Sequence, residues 1–250
     1  MHRFFSPQKN ISADRIDIVE RDTVHHIKDV LWLKAGEDIM LFDESGNEYC
    51  AVIESMDNNA VKLKIIEKLP GNKPAKLDVT IACAIPKNSK FDDIVDKLTQ
   101  LGVSRVIPLV TERVIIKLDK HKEALRKVRW EKIALNASEQ SKRSSLVVID
   151  APTRINDLIA DSSKFNLKLI PTLEGKRESL KGVLEKSLPI PLPLPLNILV
   201  LIGPEGDFTD GEVALAVNSG FIPVSLGKEI LRVETAALAV ASFIKFYEDN

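Results

Sequence analysis

The feature that most constrains the fold is a series of near-continuous apolar runs in the last two thirds of the chain. Five of them are strand candidates, at residues 77–85, 103–110, 166–173, 196–202 and 222–226. Helical patterns alternate with them, at residues 89–101, 121–143, 175–186, 209–219 and 234–247. Strands that are apolar on both faces and separated by helices form a parallel sheet covered on each side. The sequence therefore predicts an α/β domain.

A different pattern precedes residue 70. Residues 37–69 alternate apolar and polar side chains between turn signals, which predicts short strands. Apolar positions in residues 22–36 predict one short helix ending at Gly36. The segment PGNKPAK at 70–76 interrupts both patterns and marks a boundary. We therefore expect a small β-barrel-like module over residues 1–71 and a second domain over residues 72–250.

The sequence argues against several functional classes. Its apolar runs stop well short of the roughly 20 residues that cross a bilayer, and MHRFFSPQKN lacks the apolar core of a secretion signal. Cys50 and Cys83 lie far apart in strand candidates, and the four histidines are scattered, so no metal-ligand spacing is present. We expect buried free thiols in a reducing, cytoplasmic compartment, with no membrane and no metal.

Charge is unevenly distributed along the chain. Residues 73–145 carry 16 Lys and Arg against 9 Asp and Glu, whereas the segments before and after them each have a net charge of −4. A local excess of this size fits either a surface for nucleic-acid phosphates or a solvated helix face. Charge alone leaves both interpretations open.

The stretch LVLIGPEGDFTDGE at 199–212 joins an apolar strand to a glycine-containing loop and a helix. It lacks the Gly-x4-Gly-Lys-Ser/Thr pattern of a P-loop, and its Gly-x-x-Gly spacing differs from the Rossmann fingerprint. Glu205 and Asp207 would repel a phosphate at close range. We therefore expect a neutral or cationic ligand at this loop.

A second glycine element, SLGKEILRVETAALAVASF, follows at 225–243. Gly227 ends a strand, and Glu234-Thr235 begin an alanine-rich helix that a neighbouring backbone can approach closely. Two strand ends of this kind could bracket a flat ring through main-chain donors and acceptors. An adenosine compound that is cationic and carries no phosphate fits this description best.

The motifs IGPEGDFTDGE, SLGKEILRVETAALA and ALNASEQSKR (134–143) resemble the SPOUT methyltransferases, most closely the RsmE-type enzymes that methylate N3 of a uridine in 16S ribosomal RNA. HRFF, HHIKDVLWLKAGEDIMLFDESGNEY and KFDDIVDKLTQLGVSRVIPLVTERV extend the resemblance over nearly the whole chain. It implies a PUA-like RNA-binding barrel, a SPOUT domain with a deep trefoil knot, S-adenosylmethionine as methyl donor, and a homodimer acting on the small ribosomal subunit. The chain departs from the family pattern at Asp207, where a second glycine is usual, and at Val233, where threonine is usual.

The resemblance also implies where the site residues lie. Cofactor contacts are expected from three segments: Leu173 and Glu174; Gly203, Pro204, Glu205 and Gly206; and Leu226, Gly227, Ile230 and Leu231. Arg232 is expected to stabilise the uridinate that forms as N3 loses its proton, because a guanidinium stays charged and donates in a fixed fork. Glu234 is expected to orient Arg232, to accept the proton through water, or only to cap the last helix.

RNA contacts are expected from six residues: Arg3, Lys87, Arg113, Asn136, Gln140 and Arg143. The last three share a helix face at three- and four-residue spacing, for which a solvated face is the alternative. Two other functions compete with methyl transfer. A noncatalytic RNA-binding or ribosome-assembly factor would keep the same scaffold. A hydrolase with Glu205 and Asp207 as paired carboxylates would need a nucleophile elbow or a metal cluster, and the sequence has neither.

Overall fold

A computed structural model describes residues 1–70, 76–86, 90–113, 119–173, 175–188 and 195–248. The chain divides into two units. The first comprises Met1–Lys73 and Ser138–Leu146, and the second comprises Pro74–Ala137 and Val147–Asn250. The first unit is therefore made of two separate stretches of sequence.

The first unit is built on a five-stranded sheet in the order β1-β3-β4-β5-β2. Its strands are β1 (Arg3–Phe5), β2 (Arg15–Ile18), β3 (Asp38–Phe42), β4 (Glu48–Met56) and β5 (Val61–Leu69). β1 pairs with β3 in parallel, and the other pairs are antiparallel. Alternate residues such as Ile39 and Leu41 are fully buried, as the alternating sequence pattern requires.

The helix before β3 ends earlier than expected. α1 (Arg21–His25) continues as a π-helical turn over His26–Val30. Trp32 then adopts a left-handed φ of 54°, and its indole N–H donates to the Asp29 carbonyl at 2.6 Å. The prediction that the helix ends at Gly36 is wrong, because the chain already leaves the helical conformation at Trp32.

A buried carboxylate organises the turn between β3 and β4. Asp43 is fully buried, and it accepts hydrogen bonds from the Ser45 and Asn47 main-chain N–H groups at 2.9 and 3.0 Å. It also accepts from the Asn47 amide and the Tyr49 hydroxyl, both at 2.9 Å. Burial acts to raise the pKa of Asp43, but these four hydrogen bonds outweigh it and lower the pKa below the ordinary 3.8.

We expect Asp43→Asn to lower the free energy of unfolding by about 2–4 kcal/mol at pH 7, because an amide turns one acceptor into a donor facing other donors. Because the folded-state pKa is lowered, the advantage of the carboxylate is complete above 3.8 and is lost as the pH falls through the folded-state value. Urea unfolding at a series of pH values measures this difference. Asp57→Asn, in an exposed turn with a similar role, is the matched control and should cost less. A wild-type advantage that persists unchanged to pH 2 would contradict the assignment.

The second unit contains a parallel sheet in the order β11-β13-β10-β12-β6-β7-β8, and β9 also pairs with β7. Its strands are β6 (Leu77–Ala84), β7 (Arg105–Val110), β8 (Val148–Ile149), β9 (Thr153–Arg154), β10 (Leu167–Pro171), β11 (Glu178–Ser179), β12 (Leu196–Ile202) and β13 (Ile222–Ser225). Its helices are α2 (Lys90–Gln100), α3 (Lys120–Gln140), α4 (Ile155–Ala160), α5 (Leu180–Ser187), α6 (Asp210–Asn218) and α7 (Val233–Glu248). The residues of α3 from Ser138 onward belong to the first unit. The predicted α/β domain with a parallel sheet is confirmed.

Packing on both faces of this sheet explains the continuous apolar runs. Ile198 and Val200 of β12 belong to a cluster that includes residues of α2 and α7. Leu199 and Leu201, which point to the other face, belong to a cluster that includes residues of α4 and α6. All four side chains are fully buried. Burying each of them away from water stabilises the fold by about 1.5–3 kcal/mol.

Three details of the second unit differ from expectation. The strands β8 and β9 were not expected, because two-residue strands show no periodicity. The short helix α4 was not expected either. α5 begins at Leu180, where the Ser179 hydroxyl caps it, and not at residue 175. α3 ends at Gln140, because Lys142 adopts a left-handed φ of 59°, so Arg143 does not continue the helix face as predicted. The trefoil knot stays a prediction.

Candidate functional site

Three loops meet where three adjacent parallel strands end. β10 lies between β12 and β13 and pairs with both in parallel, so their carboxyl ends lie at the same edge of the sheet. The chain leaves β10 towards Leu173, β12 towards Gly203 and β13 towards Leu226. The strand that follows β12 in sequence lies on the opposite side of β10. Crevices at such reversals are where open α/β sheets bind ligands.

The three loops enclose a pocket with about 580 Å³ of empty space, part of it open to solvent. Eight of the predicted cofactor residues line it: Leu173, Gly203, Pro204, Glu205, Leu226, Gly227, Ile230 and Leu231. Gly206 lines a neighbouring cavity instead, and Glu174 lies outside the described residues.

Hydrogen bonds to other segments hold the first loop. The Thr172 N–H donates to the Val224 carbonyl of β13 at 3.2 Å, and the Thr172 carbonyl accepts from the Arg177 guanidinium at 2.7 Å. The Leu173 N–H donates to a carboxylate oxygen of Asp207 at 2.8 Å. Because Asp207 belongs to the second loop, this last contact joins two sides of the pocket.

The second loop is a tight turn, in which the Asp207 N–H donates to the Pro204 carbonyl at 2.9 Å. Asp207 itself adopts a left-handed φ of 59°, a conformation that aspartate enters at some cost. A Cβ at Gly203 would lie 3.0 Å from the buried Phe208 ring, so the ring or the turn would have to shift to admit one. The Arg113 guanidinium donates to the Gly206 and Phe208 carbonyls and supports the turn from the other side.

The third loop also depends on a glycine. Gly227 has a φ of 129°, a backbone conformation that residues with a side chain rarely adopt. The Ser225 hydroxyl donates to the Gly227 carbonyl at 3.1 Å. Ile230, which is 76% exposed, and Glu229 extend this wall of the pocket.

The lining is acidic. Glu205, Asp207 and Glu229 contribute three carboxylates, and Arg177 is the one cation among the described lining residues. The Arg177 guanidinium is already bonded to the Thr172 carbonyl. This charge pattern disfavours a phosphate and favours a neutral or positively charged ligand.

The predicted catalytic residues lie at the start of α7. Arg232 is exposed, and among the described residues nothing hydrogen-bonds or ion-pairs with its guanidinium. Val233, the first residue of α7, is buried and lines the pocket. Glu234 accepts from the Lys90 ammonium at 3.2 Å. Burial acts to raise the pKa of Glu234, but its own main-chain N–H and Lys90 outweigh this and lower the pKa.

The residues predicted to bind RNA have diverse surroundings. The Arg3 guanidinium binds both oxygens of Glu48, at 3.0 and 3.2 Å, and the Ser144 hydroxyl at 3.0 Å, and its side chain is only 10% exposed. Arg113 supports the second loop, as described above. Lys87 lies outside the described residues.

The other three lie at or just beyond the end of α3. Asn136 and Gln140 are exposed and four residues apart on α3. Burial lowers the pKa of Arg143 to about 10, which still leaves it charged at neutral pH, and its guanidinium donates to the Ser145 hydroxyl at 3.2 Å.

Sequence reasoning did not assign six of the residues that line the pocket to the site: Pro171, Thr172, Arg177, Ile202, Glu229 and Ala236. Ala236 was part of the alanine-rich helix start, and that pattern pointed near the site. Thr172, Arg177 and Glu229 carried no signal, because their roles depend on contacts made after folding. Among the described residues no group of three His, Cys, Asp or Glu side chains could hold a metal ion. None of the described helices is long and apolar enough to cross a membrane.

Comparison with known proteins places these features in a family. Residues 73–245 match the family described as RNA methyltransferase domain, and residues 19–66 match the RNA methyltransferase PUA domain. The ribosomal RNA small subunit methyltransferase E of Mesomycoplasma hyopneumoniae is 34% identical over 95% of this chain and 96% of its own length. Its Bacillus subtilis counterpart is 30% identical over 90% of this chain and 88% of its own length.

A solved structure agrees with these sequence matches. The crystal structure of ribosomal RNA small subunit methyltransferase E from Neisseria gonorrhoeae, bound to S-adenosyl methionine, superimposes with a TM-score of 0.86. It covers 99% of this chain and 98% of that chain, at 27% sequence identity.

Proposed function

Because the chain belongs to the family of ribosomal RNA small subunit methyltransferase E, we propose that it transfers a methyl group from S-adenosylmethionine to N3 of a uridine in 16S ribosomal RNA. The chain is an RNA methyltransferase by family. The observation that carries the proposal is the pocket at the ends of β10, β12 and β13, with its glycine turns and acidic lining.

The pocket fits this cofactor on three counts. Gly203 and Gly227 allow main-chain groups to approach a flat ring closely. The carboxylates of Glu205, Asp207 and Glu229 favour a cation, and a sulfonium is one. A nucleoside triphosphate would meet these same carboxylates with like charge. When bound, S-adenosylmethionine supplies an electrophilic methyl group and a neutral leaving group.

The protein then has to align N3 with the methyl group and stabilise the negative charge that develops on the uracil. We assign this stabilisation to Arg232. Arg232 is exposed and directly follows Leu231, which lines the pocket. A guanidinium stays charged at every physiological pH and can donate two hydrogen bonds in one plane to uracil oxygens.

We assign Glu234 a positioning role. A general base works best when its pKa is close to the operating pH, whereas hydrogen bonds hold the pKa of Glu234 below its usual range. Its carboxylate therefore stays ionised, pairs with Lys90 and orders the start of α7 beside Arg232. The N3 proton passes to water in this proposal.

We propose that RNA lies along the exposed residues Asn136 and Gln140 and the charged Arg143. Arg3 is left out of this surface, because its guanidinium is already paired with Glu48 and stacks on the Phe42 ring at 5.0 Å. Arg113 is assigned to loop support. A homodimer that completes the site, and a cytoplasmic location where small subunits mature, belong to the same proposal.

Calorimetry with S-adenosylmethionine tests the cofactor assignment, with ATP as the comparison ligand. We expect micromolar binding of S-adenosylmethionine and no measurable binding of ATP. Methyl transfer is then measured on 30S subunits and on naked 16S RNA from cells lacking the enzyme, and mass mapping locates the modified base. Failure to bind S-adenosylmethionine would favour a noncatalytic assembly factor. Methylation at a base other than uridine would overturn the N3 assignment.

A further inference from the structure

We propose that Asp207 is a positioning residue that couples the first and second loops of the pocket and thereby holds Leu173 in place for the cofactor. The identity of the cofactor rests on the proposed function. The coupling of the two loops by Asp207 does not, because its hydrogen bonds are present in the protein without ligand.

The contacts of Asp207 run in two directions. One carboxylate oxygen accepts from the Leu173 N–H at 2.8 Å, across 34 residues of sequence. The other accepts from the N–H of Phe208, its neighbour in the chain, at 2.9 Å. The side chain therefore bridges the end of β10 and the turn after β12, and both segments line the pocket.

The backbone conformation of Asp207 supports a specific role. Its φ of 59° is left-handed, which glycine adopts freely and aspartate only at some cost. Turn geometry alone would therefore favour glycine at this position. The two main-chain N–H groups that the carboxylate satisfies are what aspartate adds.

Leu173 is tied to the Pro204–Asp207 turn by the hydrogen bond that its N–H donates to the Asp207 carboxylate. Its neighbour Thr172 is fixed by Val224 and Arg177, which belong to β13 and to the segment before β11. The Leu173 N–H, by contrast, reaches the second loop at the Asp207 carboxylate. Without the carboxylate, we expect the first loop to keep its base at Thr172 and to lose its fixed distance from the second loop.

The test uses two variants of the full chain, Asp207→Gly and Asp207→Asn. Asp207→Gly relieves the left-handed backbone and removes both acceptors. We expect its thermal stability to be unchanged or higher, while its affinity for S-adenosylmethionine falls about tenfold. Asp207→Asn keeps one acceptor and should fall between wild type and Asp207→Gly. A merely structural residue would lower stability and affinity together, so opposite directions identify positioning.

A second measurement needs no ligand. Hydrogen exchange followed by NMR reports the Leu173 amide directly, and we expect its protection to fall at least tenfold in Asp207→Gly while the Thr172 amide stays protected. Asp210→Asn removes a nearby carboxylate that lies outside the pocket and should change neither readout. If the wild type fails to bind S-adenosylmethionine, the proposed function fails but the exchange result still stands. Unchanged Leu173 protection in Asp207→Gly would overturn the coupling.

Discussion

Replacing Arg232 by alanine is expected to reduce methyl transfer by a factor on the order of 10²–10³ while leaving the Kd for S-adenosylmethionine within about twofold. The guanidinium is exposed and, within the described part of the chain, makes no hydrogen bond or ion pair; its charge only helps to lower the pKa of Glu234. We therefore expect the fold to tolerate its loss. Its proposed work is confined to the charge that develops on uracil. An interaction made only as that charge forms changes kcat and leaves ground-state binding alone.

Single-turnover methylation of 30S subunits and calorimetry on the same preparations separate the two quantities. Arg232→Lys keeps the charge but loses the fork, so it should recover part of the rate. Lys228→Ala, an exposed cation four residues earlier in the same loop, is the matched control and should behave as wild type. Equal losses of rate and cofactor affinity in Arg232→Ala would show that the residue only supports the pocket.

The Gly203→Ala variant is expected to lower the affinity for S-adenosylmethionine by tenfold or more and to lower thermal stability. The new Cβ would lie 3.0 and 3.1 Å from two carbons of the Phe208 ring, and that ring is 4% exposed within a packed cluster. Either the ring or the turn must move, and overpacking of this kind costs about 1–3 kcal/mol. A shift of the turn displaces a wall of the pocket.

Gly211→Ala provides the control, because a Cβ there meets nothing closer than 4.0 Å. Alanine also favours the helix that Gly211 occupies, so this variant should bind the cofactor normally and melt slightly higher. Calorimetry and thermal unfolding measure both variants. Normal binding by Gly203→Ala would mean that the second loop is not a wall of the cofactor site.

The parallel sheet and most of its strands could be predicted, because a strand that is buried on both faces has a continuous run of apolar residues. The pocket loops could be located for a similar reason, since Gly203 and Gly227 stand where strands end. The resemblance to a known family supplied S-adenosylmethionine as the ligand, whereas the catalytic role of Arg232 was argued from the chemistry of uridine N3 and stays a prediction.

The missing parts depend on contacts between distant residues. The hydrogen bond from Leu173 to Asp207 joins residues 34 positions apart in the sequence. It is made by a residue, Asp207, whose left-handed φ cannot be read from a local pattern. The engagement of Arg3 by Glu48 and Ser144 likewise turns a predicted RNA contact into an internal ion pair. Local pattern reports which side chains are buried, but it does not report which partner a charged side chain finds.

The ion pair of Arg3 has a consequence for anyone dividing this protein. Ser144 binds the Arg3 guanidinium, and the Glu139 carboxylate accepts from the Phe5 N–H at 2.9 Å. The amino-terminal module therefore includes a short segment that begins at Ser138, well beyond the end of its first stretch at Lys73. A fragment cut at the proline-rich boundary would leave β1 without these partners. Excision or domain grafting therefore has to include the segment 138–146 together with the five-stranded sheet, because the sequence of the first unit is interrupted by part of the second.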